Sequence, residues 1–159
     1  MKRTEDLSIG AVTVETEGGF IVRVTMGGER FGGVSPLLEE TFAQLRAYLA
    51  GERRTFTLPL RPAGTPFQQA IWAALREIPY GETRTYARLA AAAGHPRACR
   101  AAGSACGRNP IPLLIPCHRA VGSGGLGGFS LGEGIPLKEQ LLLLEREHTE
   151  ERSSGLLSD

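Results

Sequence analysis

The stretch "TRTYARLAAAAGHPRACRAAGSACG", residues 83–107, decides how the chain reads. Residues 83–94 have a helix-forming composition and stop at Gly94, a residue that ends helices because it tolerates the left-handed conformation. Pro96 then opens a second helical run through Gly107, proline being at home in a first turn. Two short helices joined by a tight glycine turn are helix-turn-helix grammar. The second helix carries Ala98, Ala101, Ala102, Gly103, Ser104 and Ala105, all small, with Arg97, Arg100 and Arg108 projecting past them. Small side chains let a helix backbone approach a surface closely, and arginine forks suit phosphate oxygens. Helix-on-helix packing favours the same small residues, so the face alone has two readings.

The charge around this stretch leans one way. Residues 61–120 hold 8 arginines and only 2 acids, Glu77 and Glu82, whereas residues 1–60 and 121–159 each carry more acids than bases. A local arginine excess beside a helix-turn-helix is the electrostatic footprint of a nucleic-acid-binding segment. A solvated basic face is the plainer alternative.

Upstream, residues 1–60 read as a small α/β unit. Ile9–Val14 and Phe20–Met26 have strand patterns, and "TFTLPL" (55–60) is a third short strand. Between them Pro36 opens a helix with Leu38, Phe42, Leu45 and Leu49 at helical spacing, closed by Gly51. No residue of this unit reads as catalytic. "RPAG" (61–64) is a linker, and Thr65-Pro66-Phe67-Gln68 is a capping box that starts a new helix with an apolar face of Phe67, Ile71 and Leu75.

Downstream comes "NPIPLLIPCHRAVGSGG" (109–125). Its prolines argue for an extended segment rather than a helix. Residues 122–134 contain seven glycines and form a loop. "PLKEQLLLLERE" (136–147) is a final helix with Leu137, Leu141 and Leu144 on one face, and residues 148–159 form a polar, disordered tail.

Cys117 and His118 carry the chemistry. A reactive cysteine acts as thiolate, and a neighbouring base favours that form. In an extended segment adjacent side chains face opposite ways, so His118 would reach Cys117 through a water or a bent backbone. Glu139, Glu145 and Glu147 are available to orient the imidazole. A buried structural thiol is the common fate of an isolated cysteine. The remaining cysteines, Cys99 and Cys106, make no disulfide framework and no zinc-ligand spacing, so no metal and no cofactor is expected. Free thiols point to a reducing compartment. No apolar run approaches the ~20 residues of a membrane span, and the N-terminus lacks a signal-peptide pattern. A cytoplasmic protein is expected.

The order of these features resembles one family, the O6-alkylguanine-DNA alkyltransferases (methylated-DNA–protein-cysteine methyltransferases). The resemblance covers residues 65 to about 147 and rests on "NP.PLLIPCHR" after the Arg-rich helix-turn-helix and before the glycine loop and "LKEQLL". It implies an α/β (α+β) fold: a ribonuclease H-like sheet-plus-helix domain over 1–60, and a winged helix-turn-helix-type DNA-binding and alkyltransferase domain over 65–147. Position by position it implies Cys117 as alkyl acceptor, with His118 and Glu145 in a glutamate–histidine–water–cysteine relay. Tyr86 resembles the tyrosine that helps rotate the target nucleotide, and Asn109 the hinge asparagine. Arg100 resembles the arginine that enters the base stack. Arg97, Arg108, Ala98, Ala101, Ser104 and Thr85 fall at DNA-contact positions. Pro112, Val121, Phe129, Ser130 and Lys138 fall at pocket or lid positions. Phe129 stands where many members have Tyr, "LGEGIP" (131–136) replaces a shorter link, and Gln140 replaces a usual Trp, which leaves alkyl-size preference open. Some members bind zinc through the N-terminal domain; this chain has no Cys or His before His95.

The implied function is single-turnover DNA repair: a monomer flips O6-alkylguanine, with O4-alkylthymine a second candidate, out of double-stranded DNA and takes its alkyl group onto Cys117. Three other readings compete: a non-catalytic alkylated-base-binding protein, a Cys-His hydrolase, and a transcription regulator with a redox cysteine.

Overall fold

The computed structural model describes residues 1–123 and 135–158, with side chains of the last helix described over 136–149. Three antiparallel strands form an up-and-down sheet: β1 (Lys2–Leu7), β2 (Gly10–Glu17) and β3 (Phe20–Met26), in the order β1-β2-β3. β1 was not expected; its KRTEDL sequence is almost wholly polar because it is an edge strand with little buried surface. Along β2, Val12 and Val14 point into the core. A bulge at Glu15/Thr16 shifts the pairing. The buried residues of β3 are consequently Ile21 and Val24, three apart, instead of a strict alternation.

Helix α1 (Pro36–Leu49) lies against this sheet. Ser35 caps it by accepting from the Leu38 N–H, Pro36 sits in the first turn, and Gly51 leaves it at φ +78. Its inward face is Leu38, Thr41, Phe42, Gln44, Leu45 and Tyr48; Leu49, expected inside, is only half-buried. Residues 55–60 do not form a strand: only Leu60 makes a parallel bridge, to Ile21. The prolines at 59 and 62 explain this, since each removes a ladder donor.

The second half is helical. α2 (Pro66–Arg76) opens with the expected capping box, Thr65 and Gln68 satisfying each other's backbone N–H groups. The indole of Trp72 donates to the Ala105 carbonyl at 2.9 Å and ties α2 to the later helix that carries Ala105. The first helix of the helix-turn-helix, α3 (Tyr86–Ala92), starts later than its composition suggests. Arg84 and Thr85 form strand β4 instead, paired in parallel with β5 (Ala120–Val121), and Thr85 caps α3. Gly94 ends α3 at φ +86, and α4 spans Cys99–Gly107 rather than starting at Pro96.

The last helix, α5 (Ile135–Ser158), buries Leu137, Lys138, Leu141 and Glu145. It continues past residue 147, where the sequence reading begins a disordered tail. Thr149 donates to the Glu145 carbonyl, and Arg54 donates to the His148 carbonyl. Gly51 and Gly81, both at positive φ, let the chain pass so close to His148 and Thr149 that a Cβ at either glycine would collide.

The two halves share one buried core. β3 joins them through its backbone: Ile21 bonds Pro59 and Arg61, and the Val24 N–H donates to the Pro110 carbonyl at 2.9 Å. The N-terminal sheet therefore braces the segment that leads to Cys117.

Candidate active site

Residues 109–116 are not the extended strand that their prolines suggest. Leu113 takes φ 72, rare for a branched side chain, and the Ile115 N–H donates back to the Ile111 carbonyl. Asn109 closes this loop at both ends, its Oδ1 accepting from the Ile111 N–H at 3.0 Å and its Nδ2 donating to the Ile115 carbonyl at 2.9 Å. The loop delivers Cys117 into a single 3-10 turn, Cys117–Arg119, so Cys117 and His118 lie on a bent backbone rather than an alternating one. Every residue from Ile111 to Ala120 is buried.

The Glu145 carboxylate is the hub of this turn. His118 Nε2 lies 2.6 Å from its Oε2. Arg119 donates through Nε to Oε1 (2.9 Å) and through a terminal nitrogen to Oε2 (3.1 Å). The Gly81 N–H donates to Oε1 at 3.1 Å, and the Tyr48 hydroxyl donates to Oε2 at 2.5 Å. Glu145 and His118 side chains are each 1% exposed. Of Glu139, Glu145 and Glu147, the interior one is Glu145; the other two are exposed.

Burial opposes the charge on Glu145, but the hydrogen bonds from His118 and Arg119 and the Arg119 charge prevail and hold its carboxyl below the ordinary carboxylate range. Burial moves His118 the other way from a gain of charge: it is held below its ordinary value, with Glu145 pulling against that and Arg119 and Lys138 reinforcing it. The resting pair is an ionised Glu145 and a neutral imidazole. With an acceptor-only carboxylate at Nε2, the imidazole proton belongs there, and Nδ1 is the basic atom. That Nδ1 is buried and has no hydrogen-bond partner among the described residues.

Burial also pushes the Cys117 thiol up, partly offset by the Asn109 side chain, the Lys138 charge and the backbone N–H groups of Cys117 and His118. A thiol so placed is protonated at neutral pH and needs a base when it reacts. Lys138 is interior as well, donating to the Ala120 carbonyl at 2.6 Å and to the Tyr86 hydroxyl at 3.5 Å. Burial and the nearby Cys106 and Cys117 thiols push Tyr86 up to about 12, so its hydroxyl keeps its proton.

Comparison with known proteins fits this arrangement. The profile "6-O-methylguanine DNA methyltransferase, DNA binding domain" matches residues 66–147, and "6-O-methylguanine DNA methyltransferase, ribonuclease-like domain" matches residues 8–62. The chain belongs to the 6-O-methylguanine DNA methyltransferase family. The constitutive methylated-DNA–protein-cysteine methyltransferase of Bacillus subtilis is 51% identical over 113 residues, 70% of this chain and 68% of that protein. The methylated-DNA–protein-cysteine methyltransferase of Mycobacterium bovis is 41% identical over 156 residues, 91% of each. The crystal structure of Mycobacterium tuberculosis OGT in complex with DNA superposes with a TM-score of 0.83 at 40% identity, covering 92% of this chain and 93% of that one.

Against that family background, the structure brings Cys117, His118, Glu145 and Asn109 into one cluster, with Tyr86 and Lys138 beside it. On α4 and its two flanks, Arg97, Arg100, Ala101, Ser104 and Arg108 are exposed, Ala98 is half-buried, and Ala102, Ala105 and Cys106 face the core. The packing reading holds for the inward face, and the outward face is open to solvent. Thr85 is half-buried and spends its hydroxyl on capping α3. Pro112 is buried inside the 109–116 loop, and Val121 is half-buried in β5. Phe129 and Ser130 lie outside the described residues.

Two site residues escaped the sequence reading. Arg119 counted as one of the middle segment's basic charges, yet it is 7% exposed and bonded to Glu145 and to the Ile78 carbonyl. Tyr48 comes from the unit that showed no catalytic residue. The available signals were weak: an arginine directly after a buried Cys-His pair, and a tyrosine in register with Leu38, Phe42 and Leu45. Among the described residues no His/Cys/Asp/Glu group could hold a metal ion, and no helix is long and apolar enough to cross a membrane.

Proposed function

We propose that this protein repairs DNA by direct reversal, taking the alkyl group of O6-alkylguanine onto Cys117 once and irreversibly. The observation that carries this reading is the buried Nδ1 of His118, without a hydrogen-bond partner among the described residues, on an imidazole whose other nitrogen is fixed by Glu145. A water between Sγ and Nδ1 satisfies both groups and gives the thiol proton a path to the base.

The steps follow from the residues. The exposed face of α4 lies on the duplex, its arginines on phosphates and its small residues admitting close approach in the minor groove. The alkylated nucleotide leaves the stack, and Arg100 occupies the gap, offsetting part of the few kcal/mol that flipping costs. The Cys117 proton passes through water to His118 Nδ1. The thiolate attacks the alkyl carbon in line, forming the S–C bond as the C–O6 bond breaks. Tyr86 keeps its hydroxyl proton and offers it as a hydrogen bond to the leaving guanine, which takes up its proton from solvent. The thioether has no route back, so the protein acts once. It works as a monomer and needs no cofactor. The free Cys99, Cys106 and Cys117 suit a reducing, cytoplasmic setting.

The test is repair of duplex DNA carrying O6-methylguanine by the parent and by Cys117→Ala. Lesion loss with the parent alone supports the proposal. Equal loss with Cys117→Ala, or turnover beyond one lesion per protein, refutes it.

A further inference from the structure

We propose that Tyr48 is a positioning residue of the alkyl-acceptor relay, contributed by the N-terminal half: its hydroxyl fixes the Glu145 carboxylate that fixes His118. The proposal rests on the functional reading above. Tyr48 is 97 residues from Glu145 in sequence and 70 from His118, and 1% exposed. Its hydroxyl donates to Glu145 Oε2 at 2.5 Å, and His118 Nε2 reaches that same oxygen. The phenol oxygen also lies 3.4 Å from His118 Nε2. Three side chains, Tyr48, His118 and Arg119, thus converge on one carboxylate oxygen, and the N-terminal half supplies one of them.

The Tyr48 ring is itself held. It packs at 5.3 Å on Phe56 and edge-on at 6.2 Å against Tyr80, whose ring carries the Arg54 and Arg119 guanidiniums at 5.0 and 5.7 Å. Its neighbours keep the phenol protonated: burial and the Glu145 charge raise it far above its ordinary value, against the pull of Arg119. A hydroxyl that keeps its proton beside an ionised carboxylate is a permanent donor.

The consequence is a pH effect. The groups facing His118 are Glu145 on α5, Arg119 on its own turn, Lys138 on α5 and Tyr48 on α1; Tyr80 and Arg54 stand behind Tyr48. A strong donor on Oε2 spreads the carboxylate charge and weakens its hold on an imidazolium. Removing it leaves more of that charge on His118, which then protonates more easily. Protonation occupies Nδ1, the atom that must accept the Cys117 proton. The acid limb of the alkylation rate should therefore move to higher pH in Tyr48→Phe.

The experiment measures the rate of alkyl transfer from free O6-benzylguanine, read as protein mass, from pH 5 to 9 for parent, Tyr48→Phe and Tyr80→Phe. The free base bypasses DNA binding. The expected result is an acid limb raised by roughly half to one pH unit in Tyr48→Phe, the effect of one charge-assisted hydrogen bond. Tyr80→Phe keeps the ring that packs on Tyr48, and the Tyr80 hydroxyl makes no hydrogen bond to Glu145 or His118 among the described residues, so its limb should coincide with the parent's. A Tyr48→Phe limb that stays in place or moves down overturns the proposal, even if the melting temperature falls. So does an equal shift in Tyr80→Phe. A parent that is not alkylated at any pH overturns the functional reading and the proposal with it. Should Tyr48→Phe fail to fold, NMR of the parent decides: the Tyr48 hydroxyl proton should be downfield, protected and responsive to His118 titration, and an unresponsive proton overturns the role.

Discussion

Replacing Glu145 by Gln removes one charge and leaves the shape almost unchanged. The amide keeps one acceptor oxygen, but its NH2 must face donors from His118, Arg119, Tyr48 or Gly81. At least one donor loses its partner, and the buried Arg119 charge loses its counter-ion. Breaking a buried ion pair on one side costs about 3–5 kcal/mol. The lowered carboxyl of Glu145 points the same way, since the fold favours the ionised form that Gln cannot supply. For a chain of this size the melting temperature should drop by roughly 6–20 °C. The alkyl transfer rate should fall by roughly 100-fold to 10,000-fold, the worth of a general base that has lost its orientation. Differential scanning fluorimetry and the free-base transfer assay, both at pH 7.5, give the two numbers. A melting temperature within 2 °C of the parent, or a rate within threefold, would refute the reasoning that Glu145 organises the turn.

Other outcomes follow from the same contacts. Below neutral pH the fold should weaken in two windows. Both His118 and Glu145 have lowered values in the fold, so each contributes stability above its unfolded value and loses it as pH falls: His118 from 6.5 downward, Glu145 from 4.5 toward about 2. Urea unfolding at stepped pH checks this, and the lower window should shrink in Glu145→Gln. Arg100→Ala should slow duplex repair by roughly tenfold or more while leaving free-base transfer within about threefold; equal losses count against a role in the base stack. A methyl on the 6%-exposed Cys117 overfills its site, and overpacking of this kind costs roughly 1–3 kcal/mol. The alkylated protein should melt several degrees below the free form, and identical melting curves would remove that expectation.

Local chemistry wrote much of this structure plainly into the sequence. The Thr65-Pro66-Phe67-Gln68 box and the Gly94 stop act within one turn of chain, so they read directly as caps. Cys117, His118 and Arg100 stand out through the resemblance of "NP.PLLIPCHR" and the Arg-rich helices to a known family, not through any local rule. What stayed hidden depends on contacts far apart in sequence. The expected 55–60 strand fails because one edge position of β3 is all that its prolines leave to pair. The 109–116 segment bends because Asn109 bonds both its ends, a feature no periodicity reports. Arg119 looked like surface charge until Glu145 arrived from 26 residues away. Tyr48 looked like ordinary helix core, and only the packing of α1 against the Cys117 turn gives its hydroxyl a task.

The central claim is that one sulfur, once, receives the alkyl group. The direct measurement mixes the protein with a tenfold excess of duplex O6-methylguanine DNA, waits for a plateau, and maps the digested protein by mass. The account predicts a plateau of one methyl per protein, all on the peptide containing Cys117, with Cys99 and Cys106 unmodified and the excess lesion left in the DNA. Methyl on another residue, or continued repair beyond the plateau, would contradict it.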